Sequence, residues 1–243
     1  MNLQLAWCRF DKLSQVIRSR RLVQTLLRHR VFAGAEHRQV LARDLATVID
    51  IGANRGQFTL AVRQWAPKAR VISFEPLPGP ATVFRRLFSG DGAVVLHEAA
   101  IGPRLEVRTM HISHRDDSSS LLPISSAQTA MFPGTGEIAT TEVRVAPLEE
   151  FVTAAVLKAP AMLKLDVQGF EHEALIGCES LLPCFDCVYC ECSFVELYSG
   201  QKLASDVIDW LSDRGFCIEG VFNTAYDKGG HAVQADFLFG RKK

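Results

Sequence analysis

The ten residues from Thr47 to Gly56 constrain the fold of this chain more than any other stretch. They begin with a β-branched run at 48–51, continue through Gly52, and lead directly into a segment with the apolar spacing of a helix. This order predicts a strand, a tight turn and a helix. In α/β folds, such a turn at the carboxyl end of a strand is where cofactors bind.

The glycine spacing of this turn favours one kind of cofactor over another. A dinucleotide site uses three glycines at G-x-G-x-x-G spacing so that backbone amides can surround a pyrophosphate, whereas here Asn54 stands between Gly52 and Gly56. A second apolar run, 71–74, ends at Glu75, at about the twenty-residue separation where a carboxylate binds ribose hydroxyls. A ribose without a neighbouring phosphate indicates S-adenosylmethionine rather than NAD. Taken singly, the glycines are also compatible with a close helix–sheet contact, and Glu75 with a solvated strand end.

Strand and helix patterns alternate through much of the remaining chain. This alternation predicts a parallel sheet with right-handed crossovers. The predicted helices are 57–65, 81–88 after a Pro78-Gly79-Pro80 loop, 171–182 and 206–213, and the further strands are 93–96, 161–165, 187–192, 216–221 and 235–239.

Two regions depart from the alternation. Residues 103–159 have no clean helical pattern but contain strand-like runs at 107–112 and 143–145 and a Pro/Gly/Thr stretch at 133–141, so they are expected to form an irregular insertion, either a flexible loop or a lid. Residues 9–43 are rich in arginine and carry apolar residues at helical spacing. They predict one or two amphipathic helices, which serve as a lid or dimer contact or are attracted to an anionic substrate or membrane.

Composition restricts the partners and the compartment. Equal totals of 27 basic and 27 acidic residues leave a formal net charge of +0, so no global field favours nucleic acid. No apolar run approaches the roughly 20 residues of a transmembrane helix, and no signal peptide is evident, so we expect a cytoplasmic protein. Seven cysteines are an odd number, which is typical of free thiols in a reducing compartment. Four of them lie in or just before the predicted strand 187–192, where packing in the core is favoured over zinc binding because alternate side chains diverge: Cys184, Cys187, Cys190 and Cys192.

A second polar centre follows the strand at 161–165. Lys164 and Asp166 are two residues apart and therefore share one face at the carboxyl end of this strand. Glu191 lies at the end of the next predicted strand. The sequence therefore predicts that two carboxylates and one lysine meet beside the cofactor turn.

Five segments in this order and spacing resemble the FkbM family of S-adenosylmethionine-dependent O-methyltransferases: VIDIGANRG (48–56), FEP (74–76), SSSL (118–121), LKLDVQGFE (163–171) and ELY (196–198). The resemblance begins at residue 46 and leaves residues 1–45 as a separate N-terminal helical extension, with the methyltransferase domain at 46–243. It implies the α/β class I methyltransferase fold, which is Rossmann-like: a seven-stranded, mostly parallel sheet with the last strand antiparallel. The implied reaction is methyl transfer to a hydroxyl of a sugar, glycolipid or polyketide.

The resemblance also implies roles for single residues. Asp166 is expected beside the reacting methyl group, and Gln168 replaces a glutamate that is common in the family, which removes one candidate base. The implied cofactor-binding residues are Asp50, Gly52, Asn54 and Gly56 on the methionine and ribose side, Glu75 at the ribose, and Ala99 and Ala100 beside the adenine.

Methyl transfer to an alcohol needs alignment of the reacting atoms and removal of the hydroxyl proton. The proton is taken by a general base, or a divalent ion such as Mg²⁺ lowers the pKa of the oxygen, and Asp166 and Glu191 suit either role. Lys164 is expected to orient Asp166, or alternatively to form a structural ion pair. Alternative bases are His111, His114 and His172.

The acceptor is expected to be a saccharide, because the polar insertion suits a hydroxyl-rich ligand. The alternatives are a polyketide hydroxyl, a nicotinamide-dependent oxidoreductase and a non-catalytic interaction module, and a homodimer through the N-terminal region is a further expectation. Candidate substrate-binding residues are Ser118, Ser119, Ser120, Gln168 and His114.

Overall fold

A seven-stranded sheet organises the protein. The computed structural model describes residues 31–32 and 35–242. In chain order its strands are β1 (Thr47–Ile51), β2 (Arg70–Phe74), β3 (Val94–His97), β4 (Ala100–Ile101), β5 (Glu106–Ser113), β6 (Glu137–Ala146), β7 (Ala161–Leu165), β8 (Cys187–Ser193), β9 (Phe216–Tyr226) and β10 (Ala232–Arg241).

Six α-helices accompany these strands in the described part of the chain: α1 (Arg38–Leu41), α2 (Gln57–Trp65), α3 (Pro78–Phe88), α4 (Ser126–Met131), α5 (Glu171–Gly177) and α6 (Ala204–Asp213). Five short 3-10 segments complete the secondary structure: Ala35–His37, Asp116–Ser118, Leu148–Glu150, Ala154–Val156 and Glu179–Cys184. Within residues 31–32 and 35–242, no helix is long and apolar enough to cross a bilayer.

The main sheet has the strand order β3-β2-β1-β7-β8-β10-β9. All pairs from β3 through β8 are parallel, whereas β10 runs antiparallel to both of its neighbours, β8 and β9. This confirms the predicted mostly parallel sheet with an antiparallel last strand. The strand order reverses direction at β1 and β7, so the crevice at their carboxyl ends is the place where such a sheet binds ligands.

Both faces of the sheet are covered, and the pleat decides which side chains point to which face. Ile49 and Leu163 point to the face covered by α5 and α6. Val48 and Met162, one residue earlier on the same strands, point to the face covered by α1 and α2. Because both faces are buried, β1 and β7 are apolar runs without polar alternation, as expected for parallel strands.

The cysteines near β8 follow the same alternation. Cys190 and Cys192 pack in the core beneath α5 and α6, whereas Cys187 packs on the opposite face. Burial raises the pKa of the Cys187 thiol to about 11. These side chains therefore act as small apolar groups.

The insertion is more regular than its sequence indicates. The expected irregular region contributes β5 and β6 to a second sheet of order β4-β6-β5, and β6 begins at Glu137, inside the Pro/Gly/Thr stretch that we expected to be a loop. Six of the ten residues of β6 are exposed, so a strong apolar alternation is lacking. Pairing with β5 over its length, which is a long-range contact, supplies the order.

Two predicted helices differ in their bounds. Helix α3 begins at Pro78 rather than after the proline-glycine-proline loop, because proline is favourable in the first helical turn, where its missing N–H is not needed. Helix α5 ends at Gly177 instead of residue 182, and Pro183 falls in the following 3-10 segment. Of the predicted N-terminal helical region, 9–43, the structure describes residues 31–32 and 35–43, where the helical segments are Ala35–His37 and α1. The remainder lies outside the described residues.

Candidate active site

A buried ion pair joins the two strands at the centre of the site. Asp50 on β1 lies directly beside Lys164 on β7, with the lysine Nζ 3.0 Å from Asp50 Oδ1 and both side chains almost fully buried. The same Nζ donates to the Gly52 carbonyl oxygen at 2.9 Å, and Thr59 Oγ1 donates to Asp50 Oδ2 at 2.8 Å. Burial opposes the charge on Lys164, but Asp50 and Asp166 outweigh it, so the pKa of this lysine lies above its ordinary value. Lys164 also lies 3.8 Å from Asp166 Oδ2.

The turn after β1 needs glycine at both of its ends. Gly52 has a φ of +77°, and a Cβ there would lie 1.8 Å from the Asp166 carbonyl oxygen. Gly56 has a φ of +93°, and a Cβ there would lie 2.6 Å from the ring of Phe88. The left-handed backbone and the close packing both exclude larger residues. The turn is therefore pressed against the loop that carries Asp166.

Glu75 follows β2 and is held by the backbone on two sides. Its Oε2 accepts from the Asn54 N–H and its Oε1 from the Leu77 N–H, each at 2.8 Å. The side chain is buried, and desolvation raises its pKa to about 7 even though these hydrogen bonds favour the charged form. Glu75 is therefore rigidly placed and poised between its protonated and ionised forms near neutrality.

A cavity of about 290 Å³ opens between this turn, β2 and the insertion. Arg55 in the turn reaches across to the insertion, where its Nε and Nη2 donate to Asp116 Oδ2 at 2.8 and 2.6 Å. Of the residues implied by the resemblance or proposed for the substrate, those that line this cavity are Gly52, Asn54, Glu75, Ala99, Ala100, Ser119, Lys164, Asp166 and Gln168.

The other expected residues have different positions. Asp50 and Gly56 support the turn from below and do not line the cavity. Ser118 and Ser120 are buried, and each serves the loop: the Ser118 carbonyl accepts from Tyr198 Oη and Ser120 Oγ accepts from the Leu122 N–H. His114 is exposed, and it lines neither this cavity nor the second one described below, nor do His111 and His172.

Gln168 connects the two candidate carboxylates. Its Nε2 donates to Asp166 Oδ1 at 2.8 Å and to Glu191 Oε2 at 2.9 Å, while its Oε1 accepts from Tyr198 Oη at 2.8 Å. Desolvation and the neighbouring Asp166 raise the pKa of Glu191 well above its ordinary value. The Asp166 side chain is 42% exposed. The two carboxylates thus have different environments, and only Asp166 is open to the cofactor cavity.

The donor set does not fit the magnesium alternative. The Gln168 amide, a hydrogen-bond donor, stands where a cation shared by Asp166 and Glu191 would have to bind. No group of three or more His, Cys, Asp or Glu side chains among residues 31–32 and 35–242 is arranged to hold a metal ion. No step of the reaction is therefore assigned to a metal.

A second cavity of about 260 Å³ adjoins the first and shares Glu36, His37, Lys164 and Asp166 with it. The sequence prediction missed most of its lining, which includes Glu36 and His37 from the N-terminal extension and Tyr189, Asn223 and Asp236 from the sheet. These residues belong to no motif. Their only signal is that polar side chains interrupt otherwise apolar strands.

Strained backbone is concentrated around the two cavities. Among the described residues, three that are not glycine have positive φ: Asn54 at 46°, Gln168 at 55° and Asn223 at 50°. Each of them lines one of the two cavities. Such conformations cost about 1–3 kcal/mol and persist where the surroundings enforce them, which is common at functional sites.

The residues around the first cavity fit S-adenosylmethionine. Glu75 offers fixed oxygen acceptors for the ribose hydroxyls, and no row of free backbone amides at G-x-G-x-x-G spacing is present for a pyrophosphate. Apolar groups for a purine ring come from the insertion side, where Ala100 and Leu121 line the cavity beside Leu77 and Phe170. This arrangement suits a ribose at Glu75 and an adenine at the apolar end.

Binding of S-adenosylhomocysteine, the demethylated cofactor, is expected to weaken as the pH falls below about 7. The pKa of Glu75 in the unliganded protein is about 7, and ribose hydroxyls donate to the ionised carboxylate, so a proton must leave before binding at lower pH. The association constant should fall towards tenfold per pH unit and level off above about pH 8. Calorimetric titration in buffers of constant ionic strength measures this, and a flat profile from about pH 5 to 8 would contradict the assignment.

Comparisons with known proteins bear on the family of this chain. Solved structures similar to the chain include precorrin-6y C5,15-methyltransferase from Geobacter metallireducens, with a TM-score of 0.45, 14% identity and coverage of 85% of this chain and 86% of that one. TehB from Haemophilus influenzae has a TM-score of 0.48 and 9% identity, with coverage of 92% and 67%. The methyltransferase FkbM domain matches residues 50–218. The 2-O-methyltransferase NoeI of Sinorhizobium fredii is 28% identical over 189 residues, which are 72% of this chain and 76% of that protein.

Proposed function

Because this chain belongs to the FkbM methyltransferase family and is an S-adenosylmethionine-dependent O-methyltransferase, we propose that it methylates a hydroxyl of a saccharide, or of a glycolipid or polysaccharide precursor. The observation that carries the proposal is the position of Asp166, which lines both cavities. The second cavity is lined mainly by polar side chains, which favours a hydroxyl-rich acceptor over an apolar polyketide. The similar protein from Sinorhizobium fredii is named for a 2-O-methyl transfer.

In the proposed reaction Asp166 is the general base. S-adenosylmethionine, when bound, supplies a methyl group activated by its sulfonium. Asp166 Oδ2 accepts the proton of the acceptor hydroxyl, since Oδ1 is already held by Gln168. Lys164 Nζ lies 3.8 Å from Asp166 Oδ2 and is the cation next to the proposed base.

Glu191 has a positioning role in this proposal. Because its pKa is raised well above the ordinary value, it keeps its proton more readily than a solvated carboxyl group. Glu191 therefore serves to hold Gln168 and, through it, the orientation of Asp166.

Calorimetric titration with S-adenosylhomocysteine tests the cofactor site. The unsubstituted protein is expected to bind it in the micromolar range and Glu75→Ala to lose at least about tenfold in affinity, since hydrogen bonds to a charged group contribute about 1.5–3 kcal/mol. NADH should not bind. A screen of sugars with labelled S-adenosylmethionine then identifies the acceptor. Equal binding by Glu75→Ala would remove Glu75 from the site, and labelling of apolar polyketide alcohols in preference to sugars would overturn the saccharide proposal.

A further inference from the structure

The second cavity contains a hydrogen-bonded chain that starts at the N-terminal extension. His37 Nδ1 lies 3.0 Å from Tyr189 Oη, and Tyr189 Oη donates to Asp236 Oδ2 at 2.8 Å. Asn223 Nδ2 donates to the same carboxylate oxygen at 2.7 Å and to Tyr189 Oη at 3.2 Å. The sequence separation between His37 and Tyr189 is 152 residues, so only the folded sheet brings them together.

These hydrogen bonds fix the tautomer of His37. A phenol has one proton, and Tyr189 gives it to Asp236, so the hydrogen between His37 and Tyr189 must come from Nδ1. Burial lowers the pKa of His37, which favours the neutral ring. Edge-to-face contacts with Phe58 and Tyr189, at centroid distances of 5.1 and 5.5 Å, hold the ring in place. Nε2 is thereby left as a hydrogen-bond acceptor.

The other side chains at this cavity are also mainly acceptors. Asp166 and Asp236 line it with oxygens that accept hydrogen bonds, and Glu191 Oε2 accepts from Gln168. The amide hydrogens at this cavity already donate within the protein. Gln168 Nε2 donates to Asp166 and Glu191. Asn223 Nδ2 donates to Tyr189 and Asp236.

The remaining lining groups do not reverse this balance. The Lys164 ammonium is paired with Asp50 and donates to the Gly52 carbonyl, and Gln234 contributes an amide with both a donor and an acceptor. The described lining therefore offers more acceptors than donors. A ligand that fits it must supply hydrogen-bond donors.

On the basis of the proposed function, we propose that this second cavity binds the acceptor saccharide and selects rings whose substituents are hydrogen-bond donors, namely hydroxyl or ammonium groups, against rings that carry a carboxylate, phosphate or sulfate. An anionic substituent has no donor to offer and would face Asp166 and Asp236 at close range, where like charges repel. His37, Asn223 and Asp236 are the specificity-determining residues of this proposal. The acceptor hydroxyl is thereby brought to Asp166, which both cavities share.

Saturation-transfer NMR on the protein saturated with S-adenosylhomocysteine tests the selection. The probes are methyl glycosides of glucose, galactose and mannose, each with its 2-amino-2-deoxy and its uronic acid counterpart. Saturation transfer is expected for at least one neutral or amino glycoside and for none of the uronides. The amino and neutral series distinguish an ammonium from a hydroxyl as the preferred donor.

Asp236→Asn is the diagnostic variant, because it keeps the size of the side chain and exchanges an acceptor for a donor. It should lower the affinity for the neutral or amino glycoside about tenfold or more and allow the matching uronide to bind. Asp209→Asn, on the exposed side of α6, makes the same chemical change away from the cavity and should alter neither series. Retained S-adenosylhomocysteine binding shows that each variant is folded.

Three results would overturn this inference. They are binding of a uronide as strong as that of its neutral counterpart, an unchanged preference in Asp236→Asn, and no glycoside binding at all while S-adenosylhomocysteine still binds. In each of these cases the proposed saccharide methylation is still decided separately, by the sugar screen with labelled S-adenosylmethionine. Loss of S-adenosylhomocysteine binding by the unsubstituted protein would instead contradict the proposed function itself.

Discussion

Replacing Asp166 by asparagine is expected to lower kcat by about a hundredfold to ten-thousandfold, the range that a positioned general base contributes. Asparagine keeps an oxygen that can accept from Gln168 Nε2, as Asp166 Oδ1 does, so the loop should retain its shape. It cannot take a proton from the acceptor hydroxyl. Affinity for S-adenosylhomocysteine should change by less than about threefold, since hydrogen bonding to the ribose depends on Glu75.

Steady-state kinetics with the acceptor found in the sugar screen provides the measurement. Asp213→Asn, an exposed carboxylate at the end of α6, is the matched control and should leave kcat unchanged. Addition of EDTA should also leave it unchanged. A kcat of Asp166→Asn within about threefold of the unsubstituted enzyme would contradict the role of Asp166 as the base. A kcat that falls in EDTA and recovers when Mg²⁺ is added would support the metal alternative.

Replacing Lys164 by methionine is expected to destabilise the protein by about 3–5 kcal/mol, because it leaves a buried charge without its partner. Asp50 is fully buried, and Lys164 is its only ion-pair partner among the described residues. Thr59 continues to donate one hydrogen bond to Asp50, which does not neutralise the carboxylate. Urea unfolding followed by circular dichroism gives the free energy of unfolding.

Two further variants separate the ion pair from a simple loss of side-chain contacts. Asp50→Asn combined with Lys164→Met removes both charges and should be more stable than Lys164→Met alone. Arg43→Met breaks the pair with Glu219, whose side chains are 39% and 40% exposed, and should cost less than about 1 kcal/mol. Equal losses for Lys164→Met and Arg43→Met would mean that the Asp50–Lys164 pair contributes no more than a surface contact.

The central sheet and the cofactor turn could be predicted because their signals are local. The run at 48–51, the two glycines and the polar residues after β7 each depend on neighbours in sequence, and parallel strands place their carboxyl ends at one edge. Pro183 likewise predicted that the helix starting at Glu171 ends before residue 183. The helix does end before it, at Gly177, and a 3-10 segment follows.

The second cavity could not be predicted in the same way. Tyr189 and Asp236 lie on adjacent antiparallel strands, and His37 comes from a segment whose basic residues indicated only an amphipathic helix. None of these side chains has a functional spacing in the sequence. Their relation depends on the register of β8 with β10 and on the docking of α1 and the preceding turn, which are long-range contacts. The strand-like runs at 107–112 and 143–145 lie within β5 and β6. The start of β6 at Glu137 was missed for the same reason, since this part of the strand gains its order from pairing with β5.

The contact between Gly52 and the carbonyl oxygen of Asp166 has a consequence for how the sequence can change. A Cβ on Gly52 would overlap that oxygen, so the loop that carries the base cannot shift towards the turn, and the turn admits no side chain at this position. The two segments are 114 residues apart in the sequence. Because a backbone carbonyl makes the contact, it restricts the residue at position 52 and not the side chain at position 166. An enzyme of this design can diversify its acceptor by altering Asn223, Asp236 or the insertion, while the distance between the methyl donor and the base stays the same.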